Sequence, residues 1–255
     1  MKSNRIEEML AYINNNFLVS MEELCQHFDV SLSTVRRDVA QLQKAGKISK
    51  VYGGVQSTQE KELIAYHARK VQNEKAKSLI GRLAANYVKD GDVIFIDSGT
   101  TTREMVSHLA DRQNLVIITH SLTVINEASL LPNATVIVLP GILNRQTGSF
   151  TGSITTNELG GYNITTAFMA ASGYSLHGQV TNSSMEEFEI KQAAVQQCKQ
   201  RILLLDGSKF GKNGLLTYAN INEFSHLISN EKPPAIYSDA LAKAKVSLIV
   251  ADGDK

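Results

Sequence analysis

The chain has 255 residues, 43% of them hydrophobic, and its 26 Lys and Arg stand against 25 Asp and Glu. That composition supports a packed core and excludes a disordered chain, and the length fits one large domain or two unequal ones. Two distant cysteines, Cys25 and Cys198, exclude a disulfide framework or a four-ligand zinc site, the N-terminus has no apolar signal core, and no apolar run approaches the roughly 18–20 residues of a membrane helix, so a cytoplasmic protein is expected.

Residues 1 to about 57 read as three short helices and a Gly-turned ribbon. Ile6, Met9, Leu10 and Ile13 recur at helical spacing between about Asn4 and Asn15. A second helix opens at Ser20, with Glu23 three residues on as its reciprocal capping partner, and buries Leu24 and Phe28. A third runs from about Ser31 to Lys44 and ends at Ala45-Gly46, with Gly46 in the left-handed cap position. Lys47 to Tyr52 alternates as a strand and turns at Gly53-Gly54. On the third helix Val35, Val39 and Leu42 share the inner face, while Ser33, Arg37, Gln41 and Lys44 take the opposite one, flanked by Thr34 and Arg36. Residues 31–50 hold five Lys and Arg against the single acid Asp38. Such a helix can be a solvated basic face or a recognition helix, whose hydroxyl-rich start bonds phosphates and whose cations reach backbone or guanine edges. The ribbon carrying Lys47 and Lys50 favours the second, because a wing along the DNA backbone needs those charges.

Residues 58–73 read as a polar connector, and from residue 74 to 255 helices alternate with short apolar strands. The expected strands are Val93–Ile96, Leu115–Ile118, Thr135–Leu139, Ile202–Leu205 and Val246–Val250, with helices near 77–89, 101–111, 121–131 and 184–199. The fold class is therefore α/β with a mostly parallel sheet. Ligands of such sheets sit beyond the strands' carboxyl ends. There the chain places Asp97-Ser98-Gly99-Thr100-Thr101, Thr119-His120-Ser121, Pro140-Gly141 and Asp206-Gly207-Ser208-Lys209-Phe210. Backbone N–H groups, hydroxyls and Lys209 suit a phosphate, and Asp97 and Asp206 suit sugar hydroxyls. Each loop also has a plainer reading as a helix cap or a turn. Lys191, behind a Ser183/Glu186 capping pair, reads as a solvated lysine. No His/Cys/Asp spacing fits a metal, and neither a phosphate loop nor a nucleophile elbow occurs.

These residues resemble the DeoR-type bacterial transcriptional regulators along nearly the whole chain. Ser31-Leu32-Ser33-Thr34-Val35-Arg36-Arg37-Asp38-Val39, then Leu42, Gly46 and Lys50-Val51-Tyr52-Gly53-Gly54, is similar to that family's winged helix-turn-helix signature. The resemblance implies DNA contacts at Ser31, Ser33, Thr34, Arg36, Arg37, Gln41, Lys44, Lys50 and Tyr52. The larger part is similar to the family's sensor domain, which shares its fold with ribose phosphate isomerases. The matching effector positions are Asp97 to Thr101, Thr119, His120, Ser121, Gly141, Gly152, Lys191, Asp206, Gly207, Ser208, Lys209 and Phe210. His120 stands where the family usually has Asn, Gly141-Ile142 where it has two glycines, and Thr165-Thr166 where it commonly has an Asp.

The implied function is a repressor of a carbohydrate-catabolism operon, binding double-stranded operator DNA as a homodimer or homotetramer and released by a phosphorylated sugar, with no cofactor, metal or catalytic residue. The alternative is a sugar-phosphate isomerase-like enzyme carrying a DNA-binding module. Isomerisation needs a placed carboxylate base; Asp97 and Asp206 are candidates, with no clear second acid or base in the loops after them.

Overall fold

The computed structural model describes residues 2–16, 18–51, 54–57, 69 and 72–251. It divides into two compact units, Met1–Ile64 and Ala65–Lys255. Tyr52, Gly53 and most of the expected connector lie outside the described residues.

In the first unit, α1 (Lys2–Asn16) leads through a short strand, β1 (Leu18–Ser20), into α2 (Met21–Phe28), α3 (Leu32–Lys44) and the strands β2 (Ile48–Val51) and β3 (Gly54–Ser57). The three strands form an antiparallel sheet in the order β1-β3-β2, so the ribbon is a three-stranded wing. Ser20 accepts the N–H of Glu23 (3.0 Å), but the return arm of the expected capping pair is absent: Glu23 accepts the Tyr12 hydroxyl instead (3.1 Å). Ser31 caps α3, and Gly46 ends it at φ +71°. Gly54 belongs to β3, not to the turn, and a Cβ there would lie 2.4 Å from the carbonyl oxygen of Val19. Ile6, Met9, Ile13, Val19, Leu24, Val35, Val39, Leu42, Ile48 and Val55 make the core, with Phe28 only half-buried at its edge.

Asp38 is buried with that core, although it is the acid set against the basic residues of α3. Its Oδ2 accepts Arg5 Nε (2.9 Å) and Nη2 (2.7 Å).

The second unit is built on seven parallel strands: β4 (Val93–Ile96), β5 (Leu115–Thr119), β6 (Ala134–Val138), β9 (Thr166–Ala170), β12 (Gln200–Leu204), β14 (His226–Ser229) and β15 (Ser247–Val250), in the order β15-β14-β12-β9-β4-β5-β6. Alternate residues of β4 enter separate cores, Phe95 on one face and Ile94 with Ile96 on the other, which is why these strands read as continuous apolar runs. From β4 the chain builds outward through β5 and β6, then returns to the other side of β4 with β9. Strand order therefore reverses between β4 and β9.

The helices are α4 (Glu74–Ala85), α5 (Leu122–Ala128), α6 (Ser153–Leu159), α7 (Phe188–Gln197) and α8 (Ala235–Lys243). The hairpin β7 (Ile142–Asn144) and β8 (Ser149–Thr151), and a small sheet of β10 (Gly173–Tyr174), β11 (Gln179–Asn182) and β13 (Leu216–Asn220), complete the unit. The helix expected at 101–111 is a 3-10 segment, Thr102–His108. The Thr102 hydroxyl donates back to the carbonyls of Asp97 (2.7 Å) and Gly99 (2.9 Å) at its start. The helix expected from 184 begins at Phe188, because Ser184 bonds to Glu186 (2.8 Å) and to Asn182 (2.9 Å) in a local turn; the Ser183/Glu186 cap does not form.

Removing Arg5 leaves Asp38 buried without its cation. Because the Arg5 side chain is 28% exposed, water takes up part of the loss. Arg5→Ala is expected to destabilise the first unit by about 1–3 kcal/mol, below the ~3–5 of a fully buried pair, as read by urea unfolding followed by circular dichroism.

Candidate functional site

Turning Asp38 inward leaves the outer face of α3 without an acid. Ser31, Ser33, Arg36, Arg37, Gln41 and Lys44 are exposed on or beside it, Thr34 is half-buried, and Lys47 and Lys50 are exposed at and just before the wing. Ser31 Oγ lies 2.9 Å from Ser33 Oγ and 3.0 Å from Thr34 Oγ1, gathering three hydroxyls at the helix start, where backbone N–H groups favour an anion. Tyr52, the remaining residue of that set, lies outside the described residues.

In the second unit, the carboxyl ends of β4 and β9 flank the reversal of strand order, the usual crevice of an open parallel sheet. A hollow of about 40 Å³ lies there, enough for a small anion. Gly99, Thr100 and Thr101 form one wall, Ala170, Ala171 and Ser172 a second, and Asp206, Ser208 and Lys209 a third; Arg69, Gln72, Asn73 and Lys77 close it. Gly99 is needed, since a Cβ there would stand 2.2 Å from the Ala170 methyl. Among the described residues, the backbone N–H groups of Gly99, Thr100 and Thr101 make no hydrogen bond. Three buried donors in succession are the makings of an anion cradle. Arg69, Lys77, Lys209 and Asp206 line it, and Asp206 is itself engaged by Ser208 and by Asn73 (3.2 Å). Burial pulls the Lys77 ammonium below its ordinary pKa; the carboxylates of Asp206 and Glu104 oppose this, and Lys209 and Arg69 add to it. An open cleft of about 640 Å³, lined by Asn73, Asp206, Ser208, Asn230 and Glu231 among others, adjoins the hollow.

Behind the hollow is a buried polar cluster. Asp97 Oδ2 accepts the Ala170 N–H (2.9 Å) and the Lys191 ammonium, which also donates to the Ala170 carbonyl (3.2 Å). Lys191 is thus a buried ion-pair partner rather than a solvated lysine, because its position on α7 faces the strand tips. Burial alone would raise the Asp97 pKa; Lys191, His120 and the hydrogen bonds outweigh it and hold the carboxyl below its ordinary range. His120 Nε2 lies 3.9 Å from Asp97 Oδ1; that oxygen and both ring nitrogens are buried with no hydrogen-bond partner among the described residues. Burial pushes the imidazole below its ordinary pKa, although Asp97 and Glu187 draw it upward. Glu187 Oε1 accepts the hydroxyls of Ser98 (2.6 Å) and Ser149 (2.8 Å), joining the tip of β4 to the β7–β8 hairpin.

The expected effector residues thus fall into three sets. Gly99, Thr100, Thr101, Asp206, Gly207, Ser208 and Lys209 lie at the hollow or its adjoining cleft. Asp97, Ser98, His120 and Lys191 form the cluster behind, beside Thr119 and Ser121, whose hydroxyls serve the backbone: Thr119 donates to Ile96 (2.7 Å), and Ser121 caps α5. The rest stand apart. Gly141 and Gly152 bracket the hairpin, and Phe210 packs on Tyr174 and Tyr237. Arg69, Asn73, Lys77, Ser149 and Glu187 were not anticipated. Lys77 had a readable signal, since it shares a helical stripe with Ile80, Gly81 and Ala84. Among the described residues, no group of three His, Cys, Asp or Glu could hold a metal, and no helix is long and apolar enough to cross a membrane.

Residues 5–61 match the DeoR-like helix-turn-helix domain and residues 72–231 the DeoR C terminal sensor domain. The chain is 42% identical to the HTH-type transcriptional regulator IolR of Bacillus subtilis over 231 residues, 91% of this chain and 92% of that protein. It is 29% identical to the HTH-type transcriptional repressor GlcR of the same organism (100% and 98%), and 26% identical to the Glycerol-3-phosphate regulon repressor of Escherichia coli (97% and 98%). Among solved structures it is similar to a D-ribose-5-phosphate isomerase in complex with phospho-erythronic acid (TM-score 0.41, 15% identity, 54% of each chain) and to eIF2B beta from Chaetomium thermophilum (TM-score 0.47, 15% identity, 82% and 59%).

The neutral His120 sets a pH dependence. Its folded pKa lies below the unfolded value of about 6.5, so as pH falls through that value the unfolded chain takes up a proton the folded one refuses. Stability is therefore expected to fall between about pH 7.5 and about pH 5.5. His120→Asn should flatten that fall without abolishing it, because His226 is shifted the same way by burial; urea midpoints across the range provide the check.

Proposed function

This chain belongs to the DeoR family of transcriptional regulators, and on that premise we propose that it is a cytoplasmic repressor of a carbohydrate-catabolism operon, released from its operator by a phosphorylated sugar. Residues 1–57 act as the DNA-binding module, 58–73 as connector and 74–255 as sensor. The observation that carries the reading is the hollow at the β4/β9 reversal, where three successive N–H groups that make no hydrogen bond among the described residues lie beside the ammonium groups of Lys77 and Lys209. A phosphate monoester, with nearly two charges and three acceptor oxygens, suits such a set of donors. A relative named for a glycerol-3-phosphate regulon supports the same ligand class.

The sugar part takes the polar groups beyond the phosphate. A hydroxyl that donates to Asp97 Oδ1 and accepts from His120 Nε2 satisfies both; one oxygen about 2.8 Å from each spans their gap. On the DNA side, α3 enters the major groove with Arg36 and Arg37 on phosphates or guanines, and the wing follows the backbone through Lys50 and Tyr52. Two modules of a homodimer, or of a homotetramer's paired halves, read half-sites separated by multiples of ~34 Å. The sugar phosphate weakens binding by as much as it prefers the arrangement that does not fit the operator.

Glu187, beside Ser98, supplies a second carboxylate near Asp97 and is the one observation favouring isomerase chemistry. Turnover of ribose 5-phosphate by the purified protein would establish that reading; no turnover is expected.

Two measurements test the proposal. On an operator selected from random DNA, Arg37→Ala is expected to weaken binding by about 1–3 kcal/mol, and Lys50→Ala to lower the salt slope by about one counterion. In a thermal-shift panel of sugar phosphates, a ligand at about 100 times its Kd adds roughly 2.7 kcal/mol to the sensor, and Lys209→Ala should remove most of that gain. A flat panel for the wild type would sink the sensor reading.

A further inference from the structure

The parallel sheet of the second unit ends on two edge strands, β15 and β6, and the sequence treats them differently. An edge strand presents unpaired N–H and C=O groups that a strand of another chain can take, and proteins commonly block it with charges. The exposed Lys243 and Lys245 precede β15, and Asp252 and Asp254 follow it in the sequence. β6 has no such guard: from Ala128 to Asn144 the chain carries no Asp, Glu, Lys or Arg. The charge just ahead of this stretch, Glu127, is already paired with Arg103.

Among the described residues β6 pairs with β5 alone, in regular register over its whole length, so no bulge turns the edge aside. None of its residues is buried, and Thr135 and Val138 are exposed. Leu130 before it and Ile142 after it are 81% and 80% exposed, so the chain entering and leaving the edge is apolar as well as uncharged. The Thr155 hydroxyl fixes the exit from the strand by donating to the Pro140 carbonyl (2.6 Å). The Leu139 N–H donates to the Thr119 carbonyl (2.9 Å). By alternation Ile137 and Thr135 also turn their backbone groups toward β5, and those of Ala134, Val136 and Val138 face outward.

We propose that β6 is the surface through which two copies of this chain associate, pairing antiparallel about a two-fold axis at Val136 and joining their sheets into one. The inference rests on the reading of the chain as a homo-oligomer and adds which surface the copies share. With Val136 opposite its counterpart, Val138 lies opposite Ala134 of the second copy, and every outward N–H meets an outward C=O. A two-fold contact sets one patch against itself, so an edge carrying one sign of charge would repel its own copy. An uncharged edge meets itself without that repulsion, whereas a charged peptide would find nothing here to answer its charge.

Sedimentation velocity of the full-length protein, with hydrogen exchange on the same samples, tests this. The wild type is expected to sediment as a dimer or tetramer at about 10 μM. Thr135→Lys/Val138→Lys, which charges both exposed positions of the strand, should halve that mass or weaken association about tenfold or more. Ser247→Lys, at the exposed start of β15, should leave the mass unchanged. The amides of Val136 and Val138 should exchange about tenfold or more slowly in the assembled wild type than in its dissociated form, a readout that needs no variant to fold. A wild type that stays a single copy up to about 100 μM would overturn the homo-oligomer reading and this surface together, leaving the phosphate site untouched. An oligomer whose mass the folded double variant keeps, or whose Val136 and Val138 amides exchange freely, overturns the surface alone. So does a mass halved by Ser247→Lys, which would move the contact to β15.

Discussion

The sensor unit depends on one buried carboxylate. Asp97 stands at the end of the central strand β4, where strand order reverses, and takes the backbone N–H of Ala170 at the end of β9 together with the ammonium of Lys191 from α7. An ionised carboxylate removed from water loses several kcal/mol of solvation, and only a close cation with further donors offsets that. Those partners come from the second strand at the reversal and from a helix packed near it, so the charge can be kept only when all three elements are in place. The loop from Ser98 to Thr101 begins at this fixed point. The hollow is therefore a by-product of how the sheet is wound, made specific by what Asp97 holds together.

The first unit uses a similar device for a different end. Asp38 sits among Val35, Val39 and Leu42 and is matched by Arg5 from α1. The pair locks the first helix against the third and removes from the exposed face the one negative charge that would repel a phosphate backbone. A near-neutral total charge thereby coexists with an acid-free basic surface on a single helix.

Most of the architecture was readable because it follows from periodicity. The helices of the first unit and five strands of the parallel sheet announce themselves as amphipathic stripes or short β-branched runs, and the hydroxyl and glycine residues after β4 mark the crevice. What escaped shares a physical cause. Lys77, Lys191 and Asp38 are charged residues lying on apolar stripes, beside Ile80 and Ala84, Ile190 and Ala194, Val35 and Val39. A pattern based on hydrophobicity treats each as a breach of the stripe or as surface, yet a charge there is tolerated only when a tertiary partner exists, and the partner is far away in sequence. Strand β9 was missed for a related reason. Thr166-Ala167-Phe168-Met169-Ala170 has small residues where a strand usually shows branched ones, because the crevice and the Gly99 backbone press against its end. Glu187 and Ser149 meet only through the hairpin, which no local signal places.

The contact of Gly54 with the Val19 carbonyl carries one more consequence. The ribbon after α3 is laid against β1, a strand that comes before α2, so the course of its strands is set by a segment on the far side of α3 in sequence. Its pitch is governed by a missing methyl group. A side chain at this point would have to push the ribbon away from β1, and the antiparallel sheet that closes the first unit would open with it.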